Sequence, residues 1–188
     1  MARNLITLIT RDHRELEKMF GPLGRAPEKR ERLVREVAAR FVAHGNAAEE
    51  YLYPVAEHEA GETDGVRGCA AEHHKAEEIL ERLSATDCGS PLFDDRLHEL
   101  VDVVRRHVRQ EEDEILPALA KAVSTERLEE LGAAFDRMRQ EEVRRILSAG
   151  KAPLTRDELY EQAEKMGIEG RSHMNREELA ESLQRRKG

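Results

Sequence analysis

Apolar side chains recur along most of the chain at the three- and four-residue spacing of one helix face. This spacing, together with capping and breaking residues, predicts five helices, near residues 4–20, 27–54, 66–83, 91–115 and 125–147. We expect Gly21-Pro22 to end the first helix and Ser90 to cap the fourth, with Pro91 at its first position. Short connections make successive helices antiparallel neighbours. The pattern therefore predicts an all-α fold, an up-down-up-down four-helix bundle with an extra helix.

The pattern changes after residue 148, where a small helical module is predicted. We place the first domain at residues 1–148, a linker at 149–153 and a helix-loop-helix tail at 154–188. Residues 155–158 and 175–178 each have the sequence of a capping box, and an extended turn separates the two short helices. The apolar side chains expected to face inward in the tail are Leu159, Ala163, Met166, Leu179 and Leu183.

Composition narrows the class of protein. Charged residues make up 37% and aromatic residues 4%, with no tryptophan, which favours helices over a β-sandwich. No apolar run is long enough to span a membrane, and Arg11 to Arg14 interrupt the N-terminal apolar stretch, so we expect no signal peptide. Two cysteines are too few for a disulfide framework, and a cytoplasmic location is expected. The net charge of −8 disfavours nucleic acid or anionic membranes as partners of the main domain.

Four of the predicted helices each carry one inward-facing histidine, and these four lie about thirty residues apart: His13, His44, His73 and His107. A single such histidine is usually a hydrogen-bonded core residue. Four around one axis would leave several buried nitrogens unsatisfied, at roughly 1 to 3 kcal/mol each, unless they share a partner. Glu77 and Glu111 follow two of them by four residues, which places each on the same face about 6 Å along the helix. The sequence therefore predicts a site for one or two metal ions.

The spacing of these motifs resembles the hemerythrin-like, or HHE cation-binding, domains over residues 4–120. The resemblance rests on Asp12-His13, on His44 ten residues before Pro54, on Glu72-His73, and on His107 to Glu112 ten residues before Pro117. It implies a non-haem, oxo-bridged centre of two iron ions inside an up-and-down four-helix bundle. Relatives bind oxygen reversibly, sense oxygen or iron, or react with peroxide and nitric oxide. These small molecules are the partners that the resemblance implies.

One position departs from the family pattern. Ala48 stands four residues after His44, where the family has a bridging carboxylate. Glu49 and Glu50 point about 140° and 120° away from the His44 face, unless the helix opens into a π-bulge at Gly45-Asn46.

Two side chains are candidates to replace the missing ligand. Glu77 offers a hard oxygen that suits iron, and Tyr51 returns to within about 20° of the His44 face. An exposed glutamate and a packed ring, respectively, are the alternatives. The candidate metal ligands are His13, His44, His73, Glu77, His107, Glu111 and Tyr51, and no residue is assigned as catalytic. Ferritin-like Glu-x2-His pairs are absent, and the donors outnumber the needs of zinc.

The tail resembles the N-terminal segment of the Rho termination factor and SAP modules. That resemblance implies nucleic-acid contact through Lys165, Arg171 and residues 185–187. Residues 151–188 carry eight basic and eight acidic side chains, however, so docking or a structural role is an equal alternative.

Two functions therefore stay open. One is a di-iron protein that binds or reacts with oxygen, nitric oxide or peroxide in sensing or stress defence. The other is a metal-dependent regulatory or scaffold protein that acts through its tail. The sequence leaves open whether the protein is an enzyme and what its oligomeric state is.

Overall fold

The computed structural model describes residues 4–148, 156–168, 170–171 and 174–187. Every element within these ranges is helical, which confirms the all-α prediction. The elements are α1 (Leu5–Arg25), a 3-10 turn (Pro27–Lys29), α2 (Arg30–Tyr51), α3 (Tyr53–Ala60), α4 (Thr63–Ser84), α5 (Pro91–Gln110), a π-helical turn (Glu111–Ile115), α6 (Leu116–Ala122), α7 (Thr125–Ser148), α8 (Arg156–Lys165) and α9 (Arg176–Lys187). None of these described helices has both the length and the apolar character needed to cross a membrane.

The first helix is longer than expected. It begins after Asn4, whose side chain accepts a hydrogen bond of 2.9 Å from the backbone N–H of Thr7. It then continues through Pro22 to Arg25, so the prediction that Gly21-Pro22 ends it was wrong. Leu23 in the last turn is fully buried. Burying a leucine contributes about 1.5 to 3 kcal/mol, which offsets the hydrogen bond that a proline removes.

The fourth helix starts at Pro91 as predicted, after a Ser90 in extended conformation. Ser90 is the N-cap residue, as predicted, but its side chain makes no hydrogen bond to the first turn. Two predicted helices are also divided. The second breaks at Leu52, after which α3 begins, and the fourth passes through a π-helical turn into α6. The π-bulge considered for Gly45-Asn46 does not occur, since α2 is regular there.

Helix α2 lies in the middle of the first unit and packs against α1, α4 and α7, while α4 packs against α5. Buried apolar residues form two main clusters there. We call one the α6 core, which includes Ile9, Ala47, Cys69 and Ile115, and the other the α5 core, which includes Leu16, Phe41, Ala76 and Val104. Each of the four inward histidines lies in sequence between a residue of one core and a residue of the other. The histidines therefore form a polar layer between two apolar regions.

The chain divides into two compact units, Met1–Ala152 and Pro153–Gly188. In the second unit, the capping box at 175–178 is confirmed: Asn175 and Glu178 each accept a hydrogen bond from the other's backbone N–H, at 3.0 and 2.8 Å. The buried apolar side chains among its described residues are Leu159, Ala163, Ile168, Leu179 and Leu183, with Met166 only partly buried. Ile168 was not foreseen. The linker at 149–153 and Thr155, the first residue of the box at 155–158, lie outside the described residues.

Candidate metal centre

Three imidazoles and one carboxylate meet in the polar layer. His13 comes from α1, His44 from α2, His107 from α5 and Glu111 from the π-helical turn. One nitrogen or oxygen of each lies within 4.8 Å of those of the others. All four side chains are buried, with at most 2% of any of these residues exposed. The group is thus compact enough to share metal ions and is shielded from bulk water.

Glu111 is the centre of this group. Its Oε2 lies 3.1 Å from Nε2 of His13 and 3.8 Å from Nε2 of His44, while Oε1 lies 3.5 Å from Nε2 of His107. Oε1 also accepts a 2.9 Å hydrogen bond from the Tyr53 hydroxyl. Burial alone would raise the pKa of Glu111, but His107, His13 and His44 hold that pKa well below its ordinary value. The carboxyl group is therefore ionised, the form that binds metal.

The π-helical turn directs two consecutive carboxylates at the same histidine. Glu111 contacts Nε2 of His13, and Glu112 contacts Nδ1 of His13 at 2.8 Å. Glu112 also accepts a 2.6 Å hydrogen bond from Arg14. In a regular helix neighbouring side chains diverge by about 100°, and the wider π turn reduces that divergence. His13 is therefore held from both sides of its ring.

His73 on α4 completes the layer. It is 3% exposed, and its ring centroid lies 4.6 Å from that of His107 and 5.9 Å from that of His44. Gly45 makes this position available, because a Cβ at that residue would lie 1.8 Å from Cε1 of His73. The Phe41 ring lies 4.5 Å from the His73 ring. Gly45 thus serves close packing rather than helix distortion.

Several ring nitrogens in the layer lack a hydrogen-bond partner. Both nitrogens of His44, Nε2 of His73 and Nε2 of His107 are buried without one. Such groups cost roughly 1 to 3 kcal/mol each when left unsatisfied, and a metal ion would remove that cost. Nitrogen and carboxylate donors together suit iron. The residues therefore fit the metal that the sequence predicts.

Protonation differs among these histidines. Burial lowers the pKa of His107 to about 4 and that of His73 well below its ordinary value, with His107 adding to the effect on His73. Both rings are thus neutral, as a metal ligand must be. Burial also opposes charge on His44, yet Asp12 and Glu111 raise its pKa to about 9. Metal binding at His44 would therefore release a proton.

The remaining predicted ligands lie in two different settings. Glu77 is buried on α4, but it is not a member of the described four-residue group. Tyr51 is half-buried and packs against the α6 core, and it is Tyr53 whose hydroxyl reaches Glu111. Ala48 is fully buried within the α6 core, so no carboxylate takes the place expected by the family pattern.

Sequence reasoning missed the roles of Tyr53, Asp12 and Glu112. Asp12 Oδ2 lies 3.6 Å from Nδ1 of His44, although it is adjacent in sequence to His13. The available signal was that all three residues stood within or next to the motifs that carried the resemblance. The break at Leu52, which separates Tyr51 from Tyr53, could not be foreseen from helix periodicity.

Comparison with known proteins agrees with this geometry. The model of the hemerythrin HHE cation binding domain matches residues 4–119. A protein described as a DNA nickase from Nostoc sp. (strain PCC 7120) is 31% identical over 134 residues, which are 70% of this chain and 38% of that protein. The chain thus spans little more than a third of that relative's length. No solved structure matches significantly. Since the domain match covers more than half of the chain and includes every residue of the buried histidine layer, the chain belongs to the hemerythrin HHE cation-binding family.

Proposed function

We propose that this protein holds a non-haem centre of two iron ions that binds or reacts with oxygen, nitric oxide or hydrogen peroxide, in sensing or stress defence. The observation that carries the proposal is the buried layer of four imidazoles around Glu111, in which several ring nitrogens have no protein partner. Iron, when bound, supplies reversible coordination or electron transfer to such small molecules. The chain's own residues bind the ions, keep two of the imidazoles neutral and exclude water.

The contacts of Glu111 support two ions rather than one. Its two oxygens face different partners, with Oε2 toward His13 and His44 and Oε1 toward His107. A carboxylate placed in this way would offer one oxygen on each side if two ions were held here. His73, next to His107, supplies a further donor on that side. Glu77 and Tyr51 are the candidates for the remaining coordination position.

The order of the two cores along the chain supports an up-and-down four-helix bundle. Helix α1 passes from the α6 core to the α5 core, α2 returns, α4 passes from the α6 core to the α5 core, and α5 with the π-helical turn returns. Such alternation is expected when four helices run antiparallel to one another and cross a single polar layer.

Burial favours a small molecule as the reacting partner. The four histidines and Glu111 are each at most 3% exposed, so a diatomic or a peroxide can reach them through small fluctuations of the packing. A DNA strand could not do so unless helices separated. The two flanking apolar cores are also buried, including Ile9, Leu16, Phe41, Leu80 and Val104.

Iron content is the direct test. Anaerobically loaded protein should hold about two iron ions per chain and, once oxidised, absorb in the near ultraviolet. His107→Ala should lower iron content sharply, whereas His98→Ala, an exposed histidine of the same helix, should not. Unchanged iron in His107→Ala would overturn the proposal.

A visible phenolate band that Tyr51→Phe abolishes would assign Tyr51 as a ligand. Absence of that band in the ferric protein would remove Tyr51 from the candidate ligands.

A second candidate is action on DNA, as the name of the Nostoc relative suggests. It would make the chain a metal-dependent regulator whose tail contacts nucleic acid. The basic side chains of Arg185 and Arg186 line a shallow groove in the second unit with Gly167, Ile168 and Ser182. Supercoiled plasmid incubated with iron-loaded protein tests this: nicking or a mobility shift that Arg186→Gln reduces would favour it, and an unchanged plasmid would exclude it.

A further inference from the structure

Helix α7 lies beyond the part of the chain that the family model matches, yet it contacts the surroundings of His44. The matched residues end at 119, and α7 begins at Thr125. The Phe135 ring, fully buried, lies 5.8 Å from the His44 ring. One turn further along α7, Arg139 is 8% exposed. Glu142 accepts a 3.1 Å hydrogen bond from Asn46, two residues after His44. This helix therefore packs directly behind one predicted ligand.

A chain of charged groups leads from α7 to that ligand. Arg139 Nε lies 3.1 Å from Asp12 Oδ2, and the same oxygen lies 3.6 Å from Nδ1 of His44. Arg139 Nη2 donates a 2.6 Å hydrogen bond to Asp136. Asp12 is 4% exposed. Because a buried carboxylate is costly without a cation, Arg139 is the group that keeps Asp12 in place beside the imidazole.

The same arrangement occurs at a second histidine of the layer. Glu112 lies 2.8 Å from Nδ1 of His13, and Arg14 donates to Glu112 at 2.6 Å. Two imidazoles thus each have a carboxylate at Nδ1 and an arginine behind that carboxylate, while their Nε2 atoms face Glu111. A carboxylate at one ring nitrogen fixes the orientation of an imidazole and directs the other nitrogen to a metal.

We propose that Arg139, acting through Asp12, is a positioning residue for His44 as a metal ligand, so that α7 forms part of the metal centre. This inference rests on the proposed function, since it requires that His44 binds iron. Asp12 Oδ2 faces Nδ1 of His44 across 3.6 Å and attracts that side of the ring, which leaves Nε2 to face Glu111 and the metal. Arg139 supplies no ligand atom and sets the position of Asp12.

Ferrous iron affinity of the full chain, measured anaerobically by competition with a coloured chelator, is the test. Arg139→Gln should weaken binding about 10- to 100-fold, the usual effect of removing a group that orients a ligand. Arg137→Gln, an exposed arginine of the same helix, is the matched control and should stay within about twofold of the parent. Arg139→Lys keeps the positive charge and should recover part of the affinity. Urea unfolding of the metal-free variants separates this effect from lost stability.

A second variant keeps the inference testable if Arg139→Gln folds poorly. Asp12→Asn should weaken iron binding as well, and combining it with Arg139→Gln should add little, because both changes act on one contact. Nitrogen NMR spectra of the zinc-loaded protein should show that Nδ1 of His44 carries a proton. Asp12→Asn should shift the resonance of that N–H group. The inference about Arg139 would be overturned if folded Arg139→Gln bound iron as tightly as the parent protein. It would also be overturned if the losses of iron affinity in Asp12→Asn and Arg139→Gln added fully in the double variant. Neither result would contradict the proposed function. A parent protein that binds no iron would overturn the proposed function as well.

Discussion

At the scale of single residues, Gly45 determines whether the histidine layer can close. A Cβ there would fall 1.8 Å from Cε1 and 2.2 Å from Nδ1 of His73. Overpacking of this kind usually costs about 1 to 3 kcal/mol, because the ring or the helix must move. We expect Gly45→Ala to destabilise the metal-free protein by that amount and to reduce iron content.

Gly24 provides the control for this change. It lies near the end of α1, and a Cβ added there would meet no atom within 4 Å, so Gly24→Ala should be neutral or stabilising by about 0.5 to 1 kcal/mol. Urea unfolding and iron analysis of both variants measure the difference. Equal behaviour of the two would contradict the role assigned to Gly45.

Ala48 is the position at which the chain departs from its family. It is fully buried in the α6 core, so Ala48→Glu places a carboxylate among apolar neighbours and should destabilise the metal-free protein. The same carboxylate follows His44 by four residues and should strengthen binding of the more weakly held iron. Isothermal titration with ferrous iron compares Ala48→Glu with Ala48→Gln, which has similar size and no charge. Equal affinity in both would show that position 48 does not reach the metals.

At the scale of elements, the sequence predicted where the helices lie better than how they end. The apolar spacing located five helices and the inward histidines, because both depend on one helical period. It did not predict the continuation of α1 through Pro22, which depends on the burial of Leu23, or the break at Leu52. The sequence suggested a π-bulge at Gly45-Asn46, but not the π-helical turn that the structure has at Glu111–Ile115. Helix periodicity gives no sign of that turn, because the contacts of Glu111 and Glu112 with His13 join distant parts of the chain.

The candidate metal site was also predicted only in part. His13, His44, His107 and Glu111 were chosen from spacing, and the structure brings them together. The supporting groups Asp12, Tyr53 and Arg139 could not be chosen in this way, because they reach the layer from positions with no regular spacing to the histidines.

Helix α7 also carries a pH-dependent contact. Burial would raise the pKa of Asp136, but hydrogen bonds from Arg139 and Gln140 and the charge of Arg11 lower it below its ordinary value. A carboxylate of this kind stabilises the fold above its unfolded pKa, about 3.9, and the contribution disappears as pH falls through the lower folded pKa. Asp136→Asn should therefore cost about 1 kcal/mol at pH 7 and much less near pH 3. Urea unfolding at the two pH values measures this, and a constant difference would contradict it.

At the scale of the whole molecule, the two compact units are expected to act independently in metal binding. All members of the histidine layer belong to the first unit, so a chain that ends at residue 148 should keep the iron content of the full chain. The tail should bind DNA weakly and with strong salt dependence, because few cations can release counterions. Lys165, Arg171 and Arg185 already face Glu161, Glu164 and Glu181 at 3.7, 3.0 and 3.4 Å.

Titration of the full and shortened chains with single- and double-stranded DNA at low salt tests this independence. Loss of iron on shortening would contradict the division. Tight DNA binding that survives high salt would contradict the assignment of paired cations in the tail.

The close contact between Gly45 and His73 also bears on how this centre can change during evolution. Position 45 lies on α2 and position 73 on α4, so a larger residue at the first is compatible only with a smaller or displaced side chain at the second. Substitutions at these two positions should therefore occur together among relatives. A lineage that abandons the histidine at 73 is released from the requirement for glycine at 45, and the order of those two steps is constrained, with the ring lost first.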